Sequence, residues 1–287
     1  MSQYWMLIAI LLPIVGGILV KLIPFSNQRI MRIYLECIMM ATSLIVFLLA
    51  GMHPQGTLEV VHFMQDLSIS FRIDGMSMVF SVLVAALWPL AMLYSFEYME
   101  HEKHQRVFFM FYSITYGVTL GIAYASDMLS MYFFYELLTL VTVPLILHSL
   151  SRQAIHATRK YLYYSLGGAA FALIGIVFLM VYGNQLDFVM GGVLNLDKIG
   201  DKKQVLLVVY LIACMGFGVK AAMWPMGSWL PDAGVAPTPV TALLHAVAVV
   251  KAGVFAIIRL TYYSFGTDFL RGTWVQAVVM AFAMFSI

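Results

Sequence analysis

Apolar runs of about 20 residues recur along this chain with only short polar breaks between them, which is the length an α-helix needs to cross a bilayer. No other feature constrains the fold as much. The runs do not alternate apolar and polar residues, so a lipid-facing β-barrel is excluded. Of 287 residues, 62% are hydrophobic and 10% are charged, whereas a soluble domain is about half apolar and about a quarter charged. The chain therefore reads as an all-α polytopic transmembrane helix bundle of about eight complete helices plus the start of a ninth. A formal net charge of +2 is too small to suggest nucleic acid as a partner. The first apolar run has no basic segment before it and no small-residue cleavage site after it, so it reads as a retained helix in contact with lipid.

Spans are expected at about 4–23, 30–51, 75–96, 107–124 and 128–150, followed by a basic loop at 151–160 and a sixth span to about residue 183. A polar connector, 184–203, precedes the seventh span, and the eighth runs from about Thr238 to Arg259. Between the second and third spans, LEVVHFMQDLSISFRI alternates apolar and polar residues around Gln65 and Asp66, predicting a surface β-hairpin within about 53–74. The last apolar run, 273–287, is shorter than a span and reads as cut. Cys37 and Cys214 are too few for an iron–sulfur cluster and are expected to be buried packing residues. His148 and His156 are expected to be solvated. No cofactor site or redox centre is visible in this chain.

Lys21, Arg29, Arg32, Lys103, Arg106, Arg152, Arg159 and Lys160 fall in alternate loops, and Arg72, Lys198, Lys202, Lys203, Arg259 and Arg271 in the opposite ones. The positive-inside rule then puts the N-terminus outside a cell inner (plasma) membrane.

Four ionisable residues lie inside apolar sequence: Glu136, Lys220, His245 and Lys251. Glu136 stands about eight residues into its span, roughly 12 Å deep at helical rise. Such groups cost a few kcal/mol at membrane depth and are kept from lipid by a partner or a wet cavity. After Lys220 come Pro225, Pro231, Pro237 and Pro239, which break the helix near that lysine. Irregular backbone at membrane depth is tolerated where it lines a cavity, and discontinuous helices are where transporters place ion sites. A carboxylate and an amine on neighbouring helices can exchange a proton when their pairing changes, and a histidine nearby suits a relay. A static buried salt bridge is the alternative reading.

The run KAAMWPMGSWLPDA from Lys220, APTPVTALLHA from Ala236 and KAGVFAIIR from Lys251 resemble the signature of the antiporter-like membrane subunits. That family is shared by respiratory complex I, Mrp-type cation/proton antiporters and energy-converting hydrogenases. FFYELL around Glu136 resembles its fifth-helix glutamate motif, and DGMS from Asp74 resembles the start of its third helix. The resemblance implies that Glu136 pairs with Lys220, and that Lys251, with His245 beside it, passes the proton on. It implies about fourteen helices in two inverted repeats. Residues 1–106 would then hold the first three helices and the hairpin, 107–262 the first repeat, and 263–287 the start of a truncated second. The implied partners are other membrane subunits and a peripheral electron-transfer arm, with protons, or Na⁺ in an Mrp-like antiporter, as the moving ion. A non-conducting scaffold is the remaining alternative.

Overall fold

The computed structural model describes residues 3–64 and 67–286, and eight helices among them are long and apolar enough to cross a membrane. They are α1 (Tyr4–Leu22), α2 (Gln28–Met52), α3 (Gly75–Tyr98, extended by a 3₁₀ turn), α4 (Gln105–Tyr124), α5 (Met128–Ile146), α6 (Arg152–Tyr182) and, after the short α7 (Leu196–Ile199), α8 (Lys203–Lys220). The eighth span, Thr238–Phe265, is composite. It follows the short α9 (Trp229–Ala233) and consists of α10 (Thr238–Ala242), a π-helical stretch, α11 (Val249–Ile258) and a second π-helical stretch. Short helices α12 (Thr267–Leu270) and α13 (Trp274–Ser286) complete the described chain. The molecule is a multi-pass membrane protein with one two-stranded sheet among the described residues.

α1 packs on α4, α4 on α5, α2 on α3, and α6 on α8. Without a hydrophobic force between helices in lipid, close approach through small residues drives such pairs. A Cβ on Gly168 of α6 would lie 2.7 Å from the Gly216 carbonyl oxygen of α8, and one on Gly216 would lie 2.6 Å from the Ala172 nitrogen. The two backbones are in direct contact there. Large apolar side chains such as Leu44, Leu90 and Met284 point outward.

Strands β1 (Leu58–Met64) and β2 (Leu67–Phe71) pair antiparallel, with Leu58 opposite Phe71 and His62 opposite Ser68. The turn expected at Gln65 and Asp66 lies outside the described residues. β2 is bolted to the start of α5. Asp127 caps that helix by accepting from the Ser130 nitrogen at 2.7 Å, and accepts from the Ser70 hydroxyl of β2 at 2.8 Å.

Several sequence expectations need correction. The basic segment after α5 is not a loop: Ser151 caps α6, so Arg152, Arg159 and Lys160 ride on its first turns, and Lys160 pairs with Asp232 at 2.6 Å. Cys37 is exposed on α2, while Cys214 is buried as expected. His148 is half-buried with its ring edge-on to Phe108, and burial pushes its imidazole below the usual histidine range. His156 is exposed.

Arg259, expected in a loop, is completely buried. Its guanidinium makes a bidentate ion pair with Asp74, Nη1 to Oδ2 at 2.5 Å and Nη2 to Oδ1 at 2.8 Å, and lies over the rings of Phe188, Phe255 and Tyr263. Asp74 also caps α3 through a capping box with Ser77. The pair joins the start of the third span to the end of the eighth. Burial alone would raise the Asp74 carboxyl, but Arg259 and the Ser77 bonds outweigh it and hold the group below the usual carboxylate range.

Asp74→Asn retains a capping side chain but leaves Arg259 buried without its counter-charge, so it should cost roughly 3–5 kcal/mol in detergent unfolding. Because the folded carboxyl is depressed, its stabilisation is present above the unfolded value of about 3.9 and is lost as pH falls through the lower folded value. The wild-type unfolding temperature should fall over that acid window, and the Asp74→Asn variant should lack that component.

Candidate functional site

α8 ends at Lys220, and three of the carbonyls left over at that end are occupied. Phe217 accepts from the Tyr135 hydroxyl at 3.1 Å, Gly218 from the Met223 nitrogen at 2.9 Å, and Val219 from the Trp229 indole at 2.7 Å. A helix C-terminus carries partial negative charge and so favours a cation there. Lys220 occupies that position with 1% of its side chain exposed. Its Nζ donates to the backbone carbonyl of Tyr135, stands 3.4 Å from the centre of the Tyr135 ring, and reaches Glu136 Oε1 at 3.4 Å.

Glu136 comes from the third turn of α5, and 23% of its side chain remains exposed. The ammonium is thus held by a carbonyl, a π face and a carboxylate at the long edge of hydrogen-bonding distance. The carboxylate does not hold it alone. Rotation of the Glu136 side chain lengthens its contact while the other two, both from the neighbouring Tyr135 of the same helix, remain.

Beyond the break, Met226–Ser228 forms a 3₁₀ turn before α9, so the proline-rich segment is ordered by short helical pieces. The eighth span lies directly on the break. A Cβ on Gly253 of α11 would lie 2.7 Å from the Lys220 carbonyl carbon and 2.8 Å from the Ala221 Cα. Only a glycine allows that approach.

His245 lies within the π-helical stretch Leu243–Val247, closed by the Ala248 nitrogen bonding to the Leu243 carbonyl at 2.9 Å. π-turns inside α-helices are frequent at functional positions. Both His245 and Lys251 are exposed on the surface of the chain, on a span whose other side is buried. The structure therefore brings Glu136 and Lys220 together and leaves His245 and Lys251 outside that cluster. Sequence reasoning missed the Tyr135 carbonyl, Gly253 and the π-turn. Gly253, two residues after Lys251 in the KAG run, was the one readable signal for a close helix crossing.

The fold and the buried pair define a membrane bundle with an ionisable site at an interrupted helix. The chain belongs to the NADH:quinone oxidoreductase/Mrp antiporter transmembrane family, whose profile matches residues 125–287, more than half of it. Residues 62–109 match a second profile, the N-terminus of chain 5 of NADH-ubiquinone oxidoreductase (complex I).

The chain is 28% identical over 263 residues to the A1 subunit of the Na(+)/H(+) antiporter of Staphylococcus aureus (strain bovine RF122 / ET3-1), covering 88% of this chain and 32% of the relative. It is 28% identical over 254 residues to a Na(+)/H(+) antiporter subunit of Alkalihalophilus pseudofirmus, covering 85% and 31%. It thus spans about a third of the length of these relatives. In fold it resembles a chain of the membrane-bound sulfane sulfur reductase, an archaeal respiratory membrane complex, with a TM-score of 0.80 at 20% identity, over 98% of this chain and 57% of that one.

Gly253→Ala should push α11 off the Lys220 break, costing about 1–3 kcal/mol as overpacking does. Gly167→Ala, where a Cβ meets nothing within 4 Å, should leave unfolding unchanged or slightly improve stability. Paired unfolding assays on the two variants check this.

Proposed function

We propose that this chain is the antiporter-like, proton-translocating part of a multi-subunit membrane complex, with Glu136, Lys220, His245 and Lys251 as its relay. The observation that carries the reading is the Lys220 ammonium, which is almost fully enclosed while its carboxylate partner, 84 residues away on another helix, reaches it only at 3.4 Å. An ammonium whose counter-charge is held so loosely at membrane depth can change its proton when that partner moves. Glu136 stabilises the ammonium. Its withdrawal drives the proton from Lys220 towards Lys251 and His245 on the adjoining span. The exposed side chains of those two residues then hand it across the bundle surface to an element that covers them.

Residues 107–262 act as the first repeat on this reading, 1–106 as its flanking helices and hairpin, and 263–287 as the start of the second. The N-terminus faces outside the plasma membrane. Neighbouring membrane subunits are the expected partners. In a complex I-like or membrane-hydrogenase-like pump, a peripheral electron-transfer arm would drive the change in pairing. The likeness to subunits named for Na(+)/H(+) antiport favours a second version, in which the cation gradient drives the same relay.

Glu136→Gln and Lys220→Ala should assemble normally and lower proton movement at least about tenfold, the effect of losing roughly 1.4 kcal/mol of barrier lowering. Dissipation of a pH gradient in vesicles holding the complex measures this. Unchanged transport with reduced thermal stability would instead mark a scaffold. Dependence of that dissipation on Na⁺ separates the gradient-driven version from the redox-driven one.

A further inference from the structure

Glu36 is the ninth residue of α2, about 12 Å along it at helical rise. On the same helix Ile33 and Met40 point outward, but both carboxyl oxygens of Glu36 are enclosed by the chain and have no hydrogen-bond partner. Among the described residues no other acidic side chain is left in that condition. An ionised carboxylate without a partner in a low-dielectric interior is very costly, so the group requires a proton or a cation.

The charged and titratable groups on the elements packed around α2 do not supply that cation. Lys21 closes α1, Glu97 and Tyr98 end α3, Glu100 and His101 lie in its 3₁₀ extension, and none forms an ion pair with Glu36. Tyr34 of α2 donates to the Gly16 carbonyl at 3.4 Å, and Arg106 of α4 donates to the Phe25 carbonyl at 3.1 Å. Arg32 remains, one turn before Glu36 and on the same helix face. Its Nη2 lies 3.7 Å from Glu100 Oε1, a loose contact, and its Nε is enclosed without a partner. A hard metal ion needs several oxygen ligands, and no group of three or more His, Cys, Asp or Glu side chains placed to hold one exists among the described residues.

We propose that Glu36 is a proton-binding site separate from the Lys220 pair, gated by Arg32. In the state seen here Arg32 leans towards Glu100 and the Glu36 carboxyl carries its proton. When the guanidinium turns to Glu36, the O–H bond breaks, the carboxylate pairs with Arg32, and the proton passes to water at the Glu100 end of the bundle.

The test is the infrared difference spectrum between wild type and Glu36→Gln, a close isostere of the protonated acid, in membranes holding the assembled protein at about pH 6, where an ordinary glutamate is ionised. A carboxylic-acid carbonyl band present in wild type and absent in the variant is expected. In Arg32→Gln that band should persist to higher pH than in wild type. Carboxylate bands alone would show Glu36 ionised and overturn the site, and an unchanged titration in Arg32→Gln would overturn the gate. Should Glu36→Gln fail to assemble, dicyclohexylcarbodiimide, which reacts with protonated buried carboxyls, decides on wild type by peptide mass. An adduct on Glu36 supports the site, and its absence refutes it.

Discussion

An ammonium inside a bilayer must be enclosed by protein, and the placement of Lys220 depends on that constraint. The helix stops at the lysine, and Trp229 and Tyr135 occupy carbonyls that the stop leaves over. α5 must bring Tyr135 and Glu136 to the same place, and its starting point is fixed by Asp127, which caps it and ties it to the hairpin. The eighth span must then lie flat on the break, which is why a glycine stands at residue 253. Each of these features follows from keeping one charge out of lipid.

The two buried ion pairs differ in ways that suit different roles. Arg259 and Asp74 meet through two short bonds, with three aromatic rings closing around the guanidinium. Such a bidentate pair is geometrically specific and costly to break. It fixes the end of the eighth span to the start of the third. Lys220 and Glu136 meet at 3.4 Å through a single contact, with the carboxylate partly open. The tight pair gives a rigid frame, and the loose pair is the part to which the proposed relay assigns a change of state.

The long apolar runs made the eight spans legible, and the alternation around Gln65 and Asp66 marked the hairpin strands. The pairing of Glu136 with Lys220 was available only through motif resemblance, because neither residue's local context names its partner. Arg259 was misread because it closes an apolar run where loops begin, and its partner Asp74 lies 185 residues away. The run at 151–160 looked like a solvated loop because basic residues are unfavourable at a helix start, yet Ser151 was a readable cap. The geometry of His245 was beyond any count at 3.6 residues per turn, since the π-turn inserts a residue that the period does not contain. Cys37 shows the remaining limit: an apolar run in a membrane protein has a lipid face as well as a buried one.

The central claim is that Lys220 changes its proton during turnover. Side-chain ¹⁵N magnetic resonance of lysine-labelled protein in membranes, with the Lys220 signal assigned by Lys220→Arg, reads that state directly. Spectra with and without the driving gradient should show Lys220 moving between ammonium and amine populations, and Glu136→Gln should shift the balance. A Lys220 signal that stays in one protonation state under every condition, in wild type and variant alike, would contradict the account.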